Sequence, residues 1–198
     1  MYEYRKLTQE GRLRIVEERL ARGFPPHSPP QRSSEPGQYL LTAVCYEHRH
    51  HMRAAARRKQ IVDELLSALT LQGIEIRAWV VLPNHYHLLL YSPGGRRFGQ
   101  VLRPVHGRTA FQWNRDEQAS GRKVWYRHSD RAMRSERHFF TTLNYIHFNP
   151  VKHGYVRSPY EWQESSVHWY LASHGRQWLR DVWREHPVRD YGKEWDDL

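Results

Sequence analysis

Two histidines separated by a single residue, His85 and His87, have the first spacing in the sequence that points to chemistry. They begin residues 85–92, an apolar segment that predicts a β-strand, and on a strand residues i and i+2 point to the same face. Two imidazoles on one face can share a divalent cation. Because the chain contains 14 histidines, a chance pair without a metal is the alternative that this spacing leaves open.

A tyrosine and an asparagine four residues apart, Tyr145 and Asn149, form a second candidate pair. They lie at the end of a predicted helix at 135–148, which we expect Pro150 to stop. On a helix the two side chains are about 40° apart, and Tyr145 lies at the flank of the apolar stripe. We therefore expect the phenol either to be free for a reaction or to cap the edge of the core with its hydroxyl in water. Asn149 either turns toward a site or caps the last carbonyls.

Both pairs must be positioned by an alternating series of elements. Period-two patterns and β-branched residues predict strands at 38–47, 74–82, 85–92 and 123–128. Apolar residues repeated every three or four positions predict helices at 7–21, 54–72, 97–115 and 135–148. The simplest closure from residue 38 onward is an α+β, ferredoxin-like fold. It has a four-stranded, mostly antiparallel sheet with helices packed on one face.

Composition divides the chain into three regions. Five of the 11 prolines lie between residues 25 and 36, so we predict that residues 1–37 form a helix followed by a proline-rich arm. Residues 38–160 are the predicted compact domain, and they carry both candidate pairs. Residues 161–198 are rich in tryptophan, which predicts a helical extension packed on that domain.

The chain is strongly basic, because 31 Lys and Arg against 21 Asp and Glu give a net charge of +10. This balance favours polyanions, above all nucleic acid, although charge can also serve solubility alone. No apolar run approaches the roughly eighteen residues of a membrane span, and the basic N-terminus lacks the apolar block of a signal peptide. A single cysteine, Cys45, excludes an internal disulfide. We therefore expect a cytoplasmic protein that binds no membrane.

Three separated motifs make the sequence resemble a known family, the REP-associated tyrosine transposases. These belong to the HUH (histidine, hydrophobic residue, histidine) single-tyrosine transposases. The motifs are LPNHYHLLL at 82–90, YIHFNPV at 145–151 and WQESS at 162–166, in the order and spacing of the family. The similarity extends from about Tyr39 to Tyr170, and three motifs in one chain are far more specific than any one of them.

Two residues depart from the pattern of that family. Tyr86 stands between the histidines, where a small aliphatic residue is common. We expect its side chain to point to the other surface of the sheet, where it does not disturb the histidines. Tyr126 stands where glutamine is usual, which leaves open any contact that this glutamine makes.

The resemblance implies a transposase that cleaves and rejoins single-stranded DNA by transesterification. It implies that His85, His87 and Asn149 hold one Mg²⁺ or Mn²⁺, and that Tyr145 attacks phosphorus to form a 5′-phosphotyrosine. It further implies a hairpin substrate from repetitive extragenic palindromic (REP) DNA, action as a monomer or homodimer, and a place at the nucleoid of a bacterial cytoplasm. Two other functions stay open: a non-catalytic module that binds single-stranded or hairpin nucleic acid, and a metal-dependent phosphodiesterase that uses water.

Basic residues clustered near three predicted helices are candidates for contacts with DNA phosphates. Ordinary solvated surface is the alternative for each cluster. The candidates are Arg53, Arg57, Arg58, Lys59, Arg97, Arg103, Arg127 and Arg134.

Overall fold

A computed structural model describes residues 8–21, 36–94 and 98–192 of the chain. The strands are β1 (Gly37–Cys45), β2 (Glu75–Val81), β3 (His85–Ser92) and β4 (Trp125–Ala132). The helices are α1 (Gln9–Ala21), α2 (Ala55–Leu71), α3 (Phe98–Asp116), α4 (Glu136–Lys152) and α5 (Val167–Glu185), with short 3₁₀ helices at Tyr46–His48 and Pro159–Glu161. Helix α1 and residues 36–192 fall in two separate compact units. Most of the predicted proline-rich arm and the last six residues lie outside the described residues.

The four strands form one sheet in the order β2-β3-β1-β4, and every neighbouring pair is antiparallel. This arrangement confirms the predicted α+β class with a four-stranded antiparallel sheet. Strands β1 and β3 occupy the centre, and their register pairs Thr42 with His87 and Val44 with His85. The histidine pair therefore lies on a central strand, where both sides are hydrogen-bonded and its position is fixed.

One face of the sheet packs against α2 and α3 and forms the main hydrophobic core. Leu41 of β1 and Leu88 of β3 point to this face, because alternate residues of a strand do so. They join Ile61 and Leu65 of α2, which are fully buried. Helix α4 packs on the opposite face, against β2 and β3. The expectation of helices on one face therefore holds for α2 and α3, and the sheet carries α4 on the other.

Tyr86 points to the α2 and α3 face, away from the histidines, as predicted. Its hydroxyl lies 2.8 Å from Nε2 of His106, whose ring stacks on Trp125 at a centroid distance of 4.2 Å. Burial raises the pKa of Tyr86 well above its ordinary value and lowers the pKa of His106 to about 3. The two groups are therefore a neutral hydrogen-bonded pair, and the large residue fits between the histidines without changing the surface that they share.

Helix α4 continues past Pro150 to Lys152, which corrects the prediction that Pro150 stops it. The reason lies in how the helix ends. Gly154 adopts a φ of +70°, and its N–H donates to the carbonyl of Val151 while the N–H of Tyr155 donates to that of Pro150. These are the two bonds of a Schellman motif, which caps the last turn. The proline is thus placed where the helix is already ending, and Asn149 is held inside the helix.

Truncation of a core residue on α2 tests this packing against a matched control on the same helix. Leu65 is fully buried, whereas Leu71 is 81% exposed. We expect Leu65→Ala to lower the free energy of unfolding by about 2–5 kcal/mol and Leu71→Ala to change it by less than about 0.5 kcal/mol. Urea denaturation followed by circular dichroism measures both, and equal effects of the two substitutions would contradict the described core.

Candidate active site

The two histidines of β3 are both buried and lie side by side. Their ring centroids are 5.0 Å apart, on the face of the sheet that α4 covers. A second polar group fixes each ring through its Nδ1 atom: Oδ1 of Asn84 lies 2.8 Å from His85, and Oγ1 of Thr42 lies 2.8 Å from His87. Both rings therefore turn their Nε2 atoms toward α4, since the two nitrogens of an imidazole lie on opposite edges.

Helix α4 brings Tyr145 and Asn149 to those two Nε2 atoms. The hydroxyl of Tyr145 lies 3.3 Å from Nε2 of His87, and Oδ1 of Asn149 lies 3.2 Å from Nε2 of His85. All four side chains are essentially inaccessible to solvent. The spacing of four residues on the helix thus matches the spacing of two residues on the strand, and the two candidate pairs form one site.

The hydrogen-bond chemistry at His85 suits a cation. When Nδ1–H donates to Oδ1 of Asn84, Nε2 keeps a lone pair, and that lone pair faces the carbonyl oxygen of the Asn149 amide. Two facing lone pairs repel each other unless a proton or a cation lies between them. Two imidazole nitrogens and one amide oxygen are a donor set for a first-row divalent ion such as Mn²⁺. The residues present therefore fit a metal.

Asn149 is essential to that donor set. Among the described residues, no three His, Cys, Asp or Glu side chains cluster closely enough to hold a metal ion. A cation at this site consequently needs the amide as its third protein ligand. A further imidazole, that of half-buried His153, lies one helical turn after Asn149, with its centroid 5.1 Å from that of His85.

Tyr145 is completely buried, which corrects the expectation that its hydroxyl lies in water at the edge of the core. Residues 188–192, which we call the C-terminal cover, contact it through Tyr191 and Gly192. The ring of Tyr191 contacts the Tyr145 ring at a centroid distance of 5.6 Å, and Nζ of Lys152 donates to the carbonyl of Gly192 over 2.8 Å. Gly192 has a φ of +76°, and a Cβ there would overlap the Tyr145 ring. Only glycine satisfies both conditions, and nothing in the sequence pattern indicated this contact.

His147 lies in the same motif as Tyr145 and Asn149 but points to the other side of α4. It is fully buried against the rings of Tyr170 and Trp183. Burial, with a smaller contribution from nearby His168, lowers the pKa of His147 to about 3. The residue therefore stays neutral at pH 7, and its packing against these two rings stabilises the contact between α4 and α5.

The third motif, residues 162–166, closes the edge of the sheet. The backbone N–H of Val81 donates to the carbonyl of Glu164, and that of Ser166 donates to the carbonyl of Trp79. The indole of Trp162 donates to the carbonyl of Val81. An edge strand left open can pair with other chains, so this motif completes β2 and holds in place the strand that neighbours the histidines.

The predicted DNA-binding residues have different surroundings. Arg58 donates to Glu164 and lies over the Trp162 ring, and Arg57 pairs with Glu117. Both guanidinium groups thus stabilise the protein itself, and DNA contact by them stays a prediction. Arg97 lies outside the described residues. The exposed candidates are Arg53, Lys59, Arg103, Arg127 and Arg134.

The chain is similar to known proteins both in sequence and in fold. The chain is 34% identical over 113 residues to the REP-associated tyrosine transposase of Escherichia coli strain K12, a match to 54% of this chain and 64% of that protein. It is 33% identical over 107 residues to a putative REP-associated tyrosine transposase of Haemophilus influenzae, a match to 48% of this chain and 59% of that protein. The chain thus spans about three fifths of the length of these curated relatives. No family model matches it.

A solved structure shares the fold. It is that of a REP-associated tyrosine transposase bound to a REP hairpin, with a TM-score of 0.60 and 24% sequence identity over 73% of this chain and 86% of the other. The chain is thus similar in sequence to REP-associated tyrosine transposases and shares a fold with one of them, and the resemblance predicted from the three motifs is confirmed.

None of the described helices combines the length and the apolar character that crossing a membrane requires.

The pH dependence of stability tests the buried, neutral state of His147. A lowered folded-state pKa means that the unfolded chain binds a proton at pH values where the folded chain does not. The contribution of His147 to the free energy of unfolding is therefore fully present above about pH 6.5. It is lost as the pH drops toward 3, by up to about 1.4 kcal/mol per pH unit for this one group. We expect His147→Gln to reduce the slope of unfolding free energy against pH by the amount that corresponds to about one proton. Urea denaturation between pH 7 and 4 measures this slope. His106, which is also depressed to about 3, contributes equally to both proteins, and identical slopes would contradict the assignment.

Proposed function

We propose that this protein is a metal-dependent tyrosine transposase that cleaves and rejoins hairpin-forming single-stranded DNA of the REP type. The observation that carries the proposal is the contact of the Tyr145 hydroxyl with Nε2 of His87, 3.3 Å away, beside the Asn149 and His85 pair. The sequence relatives are named as REP-associated tyrosine transposases, and the structural neighbour was solved with a REP hairpin. A net charge of +10 suits a polyanionic substrate.

The reaction that the site supports is a transesterification at phosphorus. The Tyr145 oxygen forms a bond to phosphorus while the bond from phosphorus to the 3′ oxygen breaks, which leaves a 5′-phosphotyrosine and a 3′-hydroxyl. The proton that the phenol loses is balanced by the proton that the 3′ oxygen gains. Before a cation binds, Nε2 of His87 lies 3.3 Å from the Tyr145 oxygen and holds it by a hydrogen bond. The intermediate keeps the energy of the phosphodiester, so rejoining needs no nucleotide cofactor.

Divalent metal chemistry fits the donor set of His85, His87 and Asn149. When bound, Mg²⁺ or Mn²⁺ would neutralise negative charge that develops on the phosphate oxygens. The protein residues orient this set: Asn84 and Thr42 hold the imidazole rings, and α4 holds the amide. Burial of His85, His87 and Asn149 between β3 and α4 keeps bulk water from these donors, which strengthens the electrostatic interactions that they make.

The two alternative functions are less well supported by the geometry. A phosphodiesterase that uses water needs a group to activate that water, and the four side chains of the site include no carboxylate. A binding module on this kind of sheet stacks bases on aromatic residues of its central strands, and on the covered face β3 presents His85 and His87 instead. Both alternatives are distinguished from the proposal by whether DNA becomes attached to the protein.

Replacement of the nucleophile tests the proposal directly. We expect the wild-type protein, incubated with Mn²⁺ and a 3′-labelled single-stranded hairpin, to form a covalent protein–DNA band on a denaturing gel. Tyr145→Phe removes only the hydroxyl, so the band should disappear and cleavage should fall by about 10³-fold or more. His87→Ala should abolish cleavage but keep most of the salt-sensitive DNA binding, because arginine and lysine supply it.

Tyr155→Phe is the matched control, because Tyr155 is 36% exposed and lies outside the four-residue site. It should cleave at the wild-type rate. Cleavage that survives Tyr145→Phe would support the water route, and hairpin binding without cleavage by the wild-type protein would support the binding module.

The C-terminal cover must leave Tyr145 before a phosphate can reach it. We expect Tyr191→Ala, which removes the ring that packs on Tyr145, to raise the rate of covalent complex formation. A loss of about 1–2 kcal/mol of cover contacts corresponds to roughly 5–30-fold. Gel quantification under single-turnover conditions measures the rate, and circular dichroism checks the fold. A rate that is unchanged or lower in a folded Tyr191→Ala protein would contradict the proposed movement.

A further inference from the structure

A cluster of two tyrosines and a lysine lies at one end of the sheet, outside the four-residue site. The rings of Tyr46 and Tyr126 are 6.1 Å apart between centroids. The ammonium of Lys123 lies over both rings, 4.5 Å from the first centroid and 5.2 Å from the second. Both tyrosines are half-buried, and the lysine is exposed. We call these three residues the tyrosine–lysine patch.

The backbone places this patch on the face of the sheet that carries the histidine pair. Strand β4 contains a bulge, because Cys45 pairs with Trp125 whereas Ala43 pairs with His128. Trp125 is buried in the core with α3, and the ring of His128 lies against the α3 backbone. The two residues between them, Tyr126 and Arg127, are therefore turned to the opposite face. A bulge redirects side chains in this way and is common beside functional sites.

The patch is also close to the site along the sheet. Val44 is the pairing partner of His85, and Tyr46 follows Val44 by two residues. At a rise of about 3.3 Å per residue and a strand spacing of about 4.8 Å, Tyr46 begins roughly 8–10 Å from His85. This distance is spanned by one or two nucleotides of an extended strand.

Single-stranded nucleic acid is held by aromatic rings that stack on bases and by cations that contact phosphates. The patch supplies both, with exposed Arg127 as a second cation beside it. A base and a tyrosine ring each present a π-face, and the Lys123 ammonium can exchange its contact with the rings for a phosphate oxygen without leaving the patch. These are the properties of a nucleotide-binding surface next to a phosphoryl-transfer centre.

We propose that the tyrosine–lysine patch binds the bases of unpaired DNA nucleotides that adjoin the scissile phosphate. The proposal rests on the proposed function, because it assigns that function a second binding site. It divides the substrate between two parts of the protein: the patch contacts the unpaired flank, and other surfaces contact the paired stem of the hairpin.

The test compares a hairpin that has a single-stranded flank with the same hairpin without it. Binding is measured in the Tyr145→Phe background, so that no cleavage occurs, with 2-aminopurine placed at successive flank positions. We expect the Tyr46→Ala/Tyr126→Ala protein to bind the flanked hairpin about 10-fold or more weakly, to lose the quenching of 2-aminopurine, and to bind the blunt hairpin unchanged. Tyr46→Phe/Tyr126→Phe keeps both rings and should retain affinity and quenching.

Lys123→Ala tests the phosphate contact, with Arg108→Ala as its control. Arg108 is an exposed cation on α3, on the other face of the sheet. Lys123→Ala should reduce the slope of log affinity against log salt for the flanked hairpin by about 0.7, the value for one phosphate on a single strand, and Arg108→Ala should leave it unchanged. Equal losses for blunt and flanked hairpins, or unchanged quenching in a folded double variant, would overturn the proposal.

The covalent assay on the wild-type protein separates this proposal from the proposed function. Flank-specific loss of binding together with a wild-type covalent complex supports both. Flank-specific loss without any covalent complex supports the patch and contradicts the transposase reaction. A covalent complex without flank-specific loss contradicts the patch alone.

Discussion

Burial of four hydrogen-bonding side chains between strand β3 and helix α4 is the constraint on which the rest of the structure depends. A polar group removed from water without a partner costs a few kcal/mol, and this interface contains two imidazoles, a phenol and an amide. The strand must therefore present His85 and His87 in a single register, and the helix must present Tyr145 and Asn149 in a single rotation. A slip of one residue in β3 would turn Tyr86 into the site and both histidines into the apolar core.

The neighbouring elements supply what holds this register. Strand β1 provides Thr42 on one side of β3, and the turn before the strand provides Asn84, so each imidazole is oriented from the sheet. On the other side, residues 162–166 bond to the open edge of β2. Helix α4 ends in the Schellman motif that keeps Asn149 helical although Pro150 follows it. The site thus depends on local backbone chemistry at several separate points of the chain.

The sequence was sufficient to predict the elements and the two candidate pairs, because strand and helix periodicities depend on residues close together in the chain. It predicted the α+β class, the direction of Tyr86 toward the other surface of the sheet and the common face of the two histidines. Contacts between residues far apart in the sequence could not be predicted from these periodicities. The burial of Tyr145 depends on Gly192, 47 positions later, and the use of Arg58 within the protein depends on Glu164. The predicted end of α4 was wrong because the hydrogen bonds that cap the helix after Pro150 are donated by residues beyond it.

The resting arrangement of the site connects the cover with the chemistry. The Tyr145 hydroxyl lies 3.3 Å from Nε2 of His87, yet the lone pair of that nitrogen belongs to the donor set for a divalent ion. A lone pair binds one partner at a time, so a bound cation would release the Tyr145 hydroxyl from His87. Displacement of Tyr191 and Gly192 would then expose this hydroxyl to DNA. A phenol has an ordinary pKa near 10 and reacts poorly until positive charge and a phosphate are beside it. On the proposed function, the cation and the substrate therefore replace contacts that the chain makes with itself around Tyr145. The protein is inactive until both have done so.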